Sequence, residues 1–270
     1  MPSHYAHYYF GNQVLKSTTK GIKDIINTNG NTIDSFMIGL HGPDILFFYK
    51  AHSKNPINIE GTKIHNEKGK VFLSHAINYV KLNPTNENIS YLLGFMCHFM
   101  LDTACHPLVK KHMALTNLSH SRIETEFDSF IIRNLNKDPL FINQLPHIND
   151  NLDLGKIIAP FYKTPTPEEI NNSIKWMVNI LNIVTSKNPV ERIMAKVVLK
   201  AGKQYNKHGG MIVKKKPLSA TASSNMELFD KLNEIITITN EELNYLNDSI
   251  YKDLPLTERS KLNFSGEIIK

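Results

Sequence analysis

Residues 86–106 read NENISYLLGFMCHFMLDTACH, a nearly continuous apolar stretch interrupted by His98, Asp102 and His106. These three polar residues stand four apart. On an α-helix they stack one turn above another and share a stripe about 80° wide at ~100° per residue. Leu92, Leu93, Phe95, Met96, Phe99, Met100 and Leu101 surround them. A carboxylate and two imidazoles are costly to bury among such neighbours unless something satisfies them. Two arrangements would do so: hydrogen bonds among these groups or to a neighbouring helix, or a zinc ion, which accepts imidazole nitrogen and carboxylate oxygen together.

Outward from this stretch the chain reads as helical nearly throughout. Apolar residues at helical spacing run over 5–26 and 32–40, the second segment ending at the breaker His41-Gly42-Pro43. Residues 53–61 are polar and read as a loop, and the helical period resumes over 67–82. Pro84-Thr85 introduces the apolar helix and Pro107 is expected to end it. Thr166-Pro167-Glu168-Glu169 supplies the N-cap, N1 and N3 residues of a helix start. Asn188-Pro189 restarts a helix running to about Tyr205, and a last long helix covers 226–251. No alternating strand pattern and no internal repeat is found. The expectation is an all-α fold, a single multi-helix domain over residues 1–270.

The bulk numbers are those of a globular chain: 270 residues, 41% apolar, 21% charged, formal net charge +6. That charge suits anionic substrates but is too small to argue for a stable nucleic-acid partner. Residues 151–216 hold 12 Lys/Arg against 4 Asp/Glu. They form either a solvated basic face or a surface attracting phosphate-bearing or anionic-lipid molecules, with transient membrane-surface contact as the consequence. The start lacks the basic and apolar regions of a signal peptide, and no uninterrupted apolar run approaches the ~18 residues of a membrane span. Cytoplasmic residence is the expectation. Cys97 and Cys105 lie eight residues apart on one helix. At 1.5 Å per residue that is about 12 Å, too far for a disulfide, so both are expected to be free thiols.

Of the 12 histidines, 10 precede residue 121. Beyond the first stripe, His120 and Glu124 are again four apart, although Ser121-x-x-Glu124 also reads as a capping box. Asp44 lies in the turn His41-Gly42-Pro43-Asp44, followed by the aromatic run Phe47-Phe48-Tyr49, which reads as core. His65 follows the polar stretch and His7 lies in the first helix. Taken singly, these three are turn or surface residues as readily as ligands.

The order of these residues carries a resemblance. The run Met1-Pro2-Ser3-His4-Tyr5-Ala6-His7, then Gly39-Leu40-His41-Gly42-Pro43-Asp44, His65, His98-x-x-x-Asp102, His106 and His120-x-x-x-Glu124 resembles the bacterial zinc-dependent phospholipase C family. That family includes the catalytic domain of clostridial alpha-toxin and is more distantly related to fungal single-strand nucleases. The resemblance is ordered over residues 1 to about 130 and implies an all-helical domain with zinc ions. Carried over, Asp44, His65, His98 and Asp102 hold one ion, and His106, His120 and Glu124 a second. His7 with the shared Asp102 contributes to a third. Exported members bind this third ion with an N-terminal Trp, whereas this chain begins Met-Pro and its only Trp is Trp176. The Pro2 amine or His4 would stand in, and His112 is a fallback for His106.

The resemblance implies a phosphodiesterase that cleaves phospholipid on the glycerol side of its phosphate with a metal-activated water. Asp44 is the candidate general base or a ligand without proton transfer. Ser119, Ser121 and Glu126 are candidates for orienting the imidazoles. A nuclease or soluble phosphodiesterase on the same cluster, and a zinc-stabilised protein without turnover, are the alternatives.

Overall fold

The computed structural model describes residues 4–149 and 153–269, and the N-terminal amine considered for the third ion lies outside them. Among the described residues thirteen α-helices follow in chain order. They are α1 (His4–Ser17), α2 (Lys20–Ile26), α3 (Gly30–Gly39), α4 (Ile45–Phe48), α5 (Pro56–Asn66), α6 (Gly69–Leu82) and α7 (Asn86–Thr116). There follow α8 (His120–Asn134), α9 (Gly155–Ile158), α10 (Pro167–Val184), α11 (Pro189–Ala201), α12 (Tyr205–His208) and α13 (Ala222–Tyr251). Among the described residues no strand forms, and a lone antiparallel bridge joins Leu262 and Ile268. The all-α expectation holds.

Helix α7 is the axis. It packs on α3, α13, α1 and α8, and its side chains from Asn88 to Thr103 are almost all buried. The closest crossing is with α3, where Gly39 and Gly94 face one another; a Cβ on Gly94 would overlap the Phe36 carbonyl. By length and composition α7 could cross a membrane, with a mean hydropathy of 1.3 over its best window, even though His98, Asp102 and His106 interrupt its apolar run. Yet 83% of that window is buried inside the protein, the setting of a core helix.

Four local expectations are corrected. The first helical stretch breaks at Thr18-Thr19, so α1 and α2 are separate elements. The expected loop over 53–61 gives way from Pro56 onward to α5, because Asn55 and Asn58 make a reciprocal capping box and Pro56 occupies the first turn. Pro107 does not end α7. A proline removes only its own bond to the carbonyl four residues back. Here that is the Thr103 carbonyl, and Gly266 of the C-terminal segment packs against it and the Pro107 ring. Contacts with α13, among them Lys111 and His112 on Glu227, then carry the helix on to Thr116. The helix restarting at Pro189 stops at Ala201, and Lys203 adopts a left-handed φ of 55° before α12. Cys97 and Cys105 are buried free thiols, as the spacing required. Phe48 is buried in the core and half-buried Tyr49 packs against it, whereas Phe47 is half-buried with its ring 5.1 Å from that of His65, outside the core.

Candidate metal centre

Five elements deliver the donors. Helix α7 carries His98, Asp102 and His106; α8 carries His120 and Glu124; α1 carries His7; α5 carries His65; and Asp44 closes a 3-10 turn, Gly42–Asp44. The turn can lie directly on His98 because residue 42 is glycine at φ 48°, and a Cβ there would strike the imidazole. Helix α1 is held to α8 by Asp128: the Tyr5 N–H donates to Oδ2 (3.2 Å) and the Ala6 N–H to Oδ1 (2.8 Å). A carboxylate on the orphan donors of a helix start fixes that end, and with it His7.

These donors converge. Asp102 Oδ1 is 3.2 Å from His7 Nε2 and 3.8 Å from His106 Nε2, while Oδ2 is 3.3 Å from His98 Nε2. Glu124 Oε1 lies 3.4 Å from His106 Nε2 and 2.9 Å from His120 Nε2. Asp44 Oδ1 is 2.9 Å from His65 Nε2. Three groups present ligand atoms within 4.8 Å of one another: His7/His98/Asp102, Asp44/His65/His98 and His106/His120/Glu124. The structure thus brings all eight predicted residues together, and in the triads it sets Asp102 with His7 rather than with Asp44 and His65. Asp44, His98, Asp102 and Glu124 are buried, whereas the His120 side chain is 38% exposed and marks the open edge.

The tautomers follow from backbone contacts. His65 Nδ1 is 2.7 Å from Gly61 O, His98 Nδ1 is 3.1 Å from Leu40 O, and His106 Nδ1 is 2.5 Å from Phe264 O. A carbonyl only accepts, so each Nδ1 carries the hydrogen and each neutral imidazole turns the lone pair of Nε2 toward the carboxylates. Lone pairs facing carboxylate oxygens repel unless a proton or a cation lies between them. Consistently, His98 Nε2, Asp102 Oδ2, His106 Nε2 and Glu124 Oε2 are buried and make no hydrogen bond among the described residues. The donor set therefore fits zinc, which takes both atom types.

The electrostatics point the same way. Burial would lower His106, but Asp102 and Glu124 push it up to about 9. His98 is raised against burial by Asp102. Burial would raise Asp44, Asp102 and Glu124, yet nearby positive charge, including that of the facing imidazoles when protonated, holds all three below the usual carboxylate range. Each carboxylate is thus ionised and in need of positive charge.

The expected orienting groups are elsewhere. Ser119 rather than Ser121 caps α8, accepting from the Arg122 N–H at 3.3 Å. Ser121 Oγ donates to Lys207 O, and Glu126 accepts from Arg122 and from the Leu218 N–H. His112 Nε2 lies 3.3 Å from Glu227, outside the triads, so it does not replace His106. Orientation comes instead from the carbonyls of Gly61, Leu40 and Phe264. Sequence reading also passed over His41 and His147. His41 Nδ1 is 3.2 Å from His4 Nδ1, and its Nε2 is 2.8 Å from His147 Nε2, with His147 stacked on Tyr8 at 4.2 Å. His4 is thereby engaged with a second imidazole group. Only the shared face of His4 and His7, three apart on α1, hinted at it.

A helical frame that gathers imidazoles and carboxylates from five separate elements defines a metal-binding protein. The sequence model of the zinc dependent phospholipase C family matches residues 6–176, a span holding all eight donors, and the chain belongs to that family. Comparison with curated proteins and with solved structures yields no match.

Proposed function

We propose that this family member is a phosphodiester hydrolase that cleaves phospholipid on the glycerol side of its phosphate. In this reading Asp44, His65, His98, Asp102, His106, His120 and Glu124 hold two zinc ions, and His7 with Asp102 contributes to a third. The observation that supports it is the row of Nε2 lone pairs, fixed by backbone carbonyls, aimed at buried ionised carboxylates. Bound zinc supplies Lewis acidity, making hydroxide available near neutral pH and offsetting charge on the phosphoryl oxygens. Asp44, ionised beside His65, is assigned to orient the attacking water and accept its proton. The exposed edge at His120 is where substrate enters.

The test combines metal analysis with substrates. Protein purified without chelator should carry at least one zinc per chain, hydrolyse p-nitrophenylphosphocholine, and lose that activity to chelator. Asp102→Ala should lower the zinc content; unchanged content refutes the ligand assignment. Asp44→Asn, assayed with zinc added to full loading, should lose roughly 10²–10⁴ in kcat if Asp44 takes the proton. Equal cleavage of phosphatidylcholine and single-stranded DNA would remove the lipase assignment in favour of a nuclease.

A further inference from the structure

Helices α10 and α11 are both amphipathic, but they dispose of their apolar faces in opposite ways. Helix α10 buries Ile170, Ile174, Met177, Leu181 and Val184. Helix α11 buries no residue at all. Its Val190, Ile193, Met194, Val197 and Val198 are exposed by 61, 59, 55, 53 and 63%. At ~100° per residue these five cover one arc of about 140°. The half-covered Arg192, Ala195 and Leu199 lie on the opposite side, the side turned to the molecule. The helix therefore displays its apolar stripe to the outside instead of burying it.

Charge borders the stripe. Lys196 and Lys200 are exposed along one edge, and residues 187–207 hold Lys187, Arg192, Lys196, Lys200, Lys203 and Lys207 against Glu191 alone. The family match ends at residue 176, before this segment begins.

We propose that α11 is a docking helix that lies in the interface of a bilayer containing anionic phospholipid. An amphipathic helix with aliphatic residues on one face and lysines along its border is built for that position. The apolar side chains enter the acyl boundary, and the long lysine stems carry their charge to the headgroup phosphates. A second copy of the chain is a poorer occupant, because pairing two such faces gathers two sets of cations with only Glu191 on each to offset them. Helix α11 is also coupled to the open edge of the metal centre. It contacts α12, and α12 with the turn Gly209–Met211 packs on the start of α8. There Ser121 Oγ donates to Lys207 O at 3.0 Å and Arg122 Nη2 donates to Gly209 O at 3.2 Å, both from the first turn of α8, which begins at His120. Docking through α11 thus brings the His120 edge to the lipid surface; only this consequence for turnover rests on the phospholipid reading above.

The experiment is co-sedimentation of the full chain with vesicles of phosphatidylcholine alone or mixed with phosphatidylglycerol. The wild type should bind the mixed vesicles, less at high salt. Ile193→Glu with Val197→Glu should cut partitioning by more than about tenfold. Lys196→Glu with Lys200→Glu should abolish the preference for phosphatidylglycerol. All four positions are exposed, so melting temperatures should match the wild type. The apolar double variant should also lose rate on vesicle substrate while keeping its rate on p-nitrophenylphosphocholine. Failure of the wild type to bind either vesicle, or equal binding by the apolar variant, overturns the proposal. A wild-type dimer that the apolar variant splits also overturns it and gives the face to a second copy. Vesicle binding without turnover of any substrate supports the docking helix and refutes the hydrolytic reading instead.

Discussion

The Nδ1 hydrogen of His106 is committed to Phe264 O, so any proton gained by this buried ring goes to Nε2, between Asp102 and Glu124. Those carboxylates, working against burial, push it up to about 9. A raised imidazole contributes stability that is complete below the ordinary value of about 6.5 and is lost as pH climbs through about 9. His4 and His147 behave oppositely: burial drops both to about 3, so their contribution is present above about 6.5 and is lost as pH falls. The depressed carboxylates Asp44, Asp102 and Glu124 add to the acid-side loss. The zinc-free protein should therefore melt highest near pH 6.5 and lower on both sides. His106→Gln should flatten the alkaline limb; an unchanged limb in thermal melts contradicts this account. Adding zinc should reverse the alkaline slope, because the metal competes with the proton for Nε2. At this scale the sequence was informative about residue type: four-residue spacing singled out His98, Asp102, His106, His120 and Glu124, whereas His7, Asp44 and His65 entered only through the family resemblance. It was silent on tautomer, because the partners that set it are main-chain carbonyls, which any residue supplies.

At the scale of elements, spacing alone was enough for α7 and α10: four-residue periodicity and the Thr166–Glu169 capping box are local properties. It failed at Pro107, where Gly266, distant in sequence, covers the carbonyl that a proline leaves unpaired. It failed again at α8, whose cap is Ser119, and at α1, whose start is held by Asp128 on another helix. Asp128→Ala should uncap α1 at a cost of about 1–2 kcal/mol in urea denaturation. It should also loosen His7, reducing zinc at the His7/Asp102 position while leaving the His106/His120/Glu124 group loaded. Equal loss from both, read by metal titration, would show that Asp128 acts on the whole frame and not on α1.

Across the molecule, one buried core runs from Tyr5 to Phe264 around α7, and the metal centre is set into it. An ion that binds the folded chain alone adds its binding free energy to stability, ~4 kcal/mol for one site at ~1,000-fold excess over Kd. In a chain of this size that corresponds to roughly 10 °C. Chelator should thus lower Tm by about that amount and added zinc restore it; an unchanged Tm with zinc removed would separate the site from the fold. Taken alone, the sequence determined the helical class, the central apolar helix and the identity and order of eight ligand-type residues, because periodicity and side-chain chemistry are local. The tertiary structure alone decided that donors as far apart in sequence as His7 and Asp102, 95 positions, face one another. It also decided that three backbone carbonyls aim the imidazoles and that α11 turns its apolar stripe outward. Each of these depends on what packs against an element, and packing is settled only when the whole chain has folded.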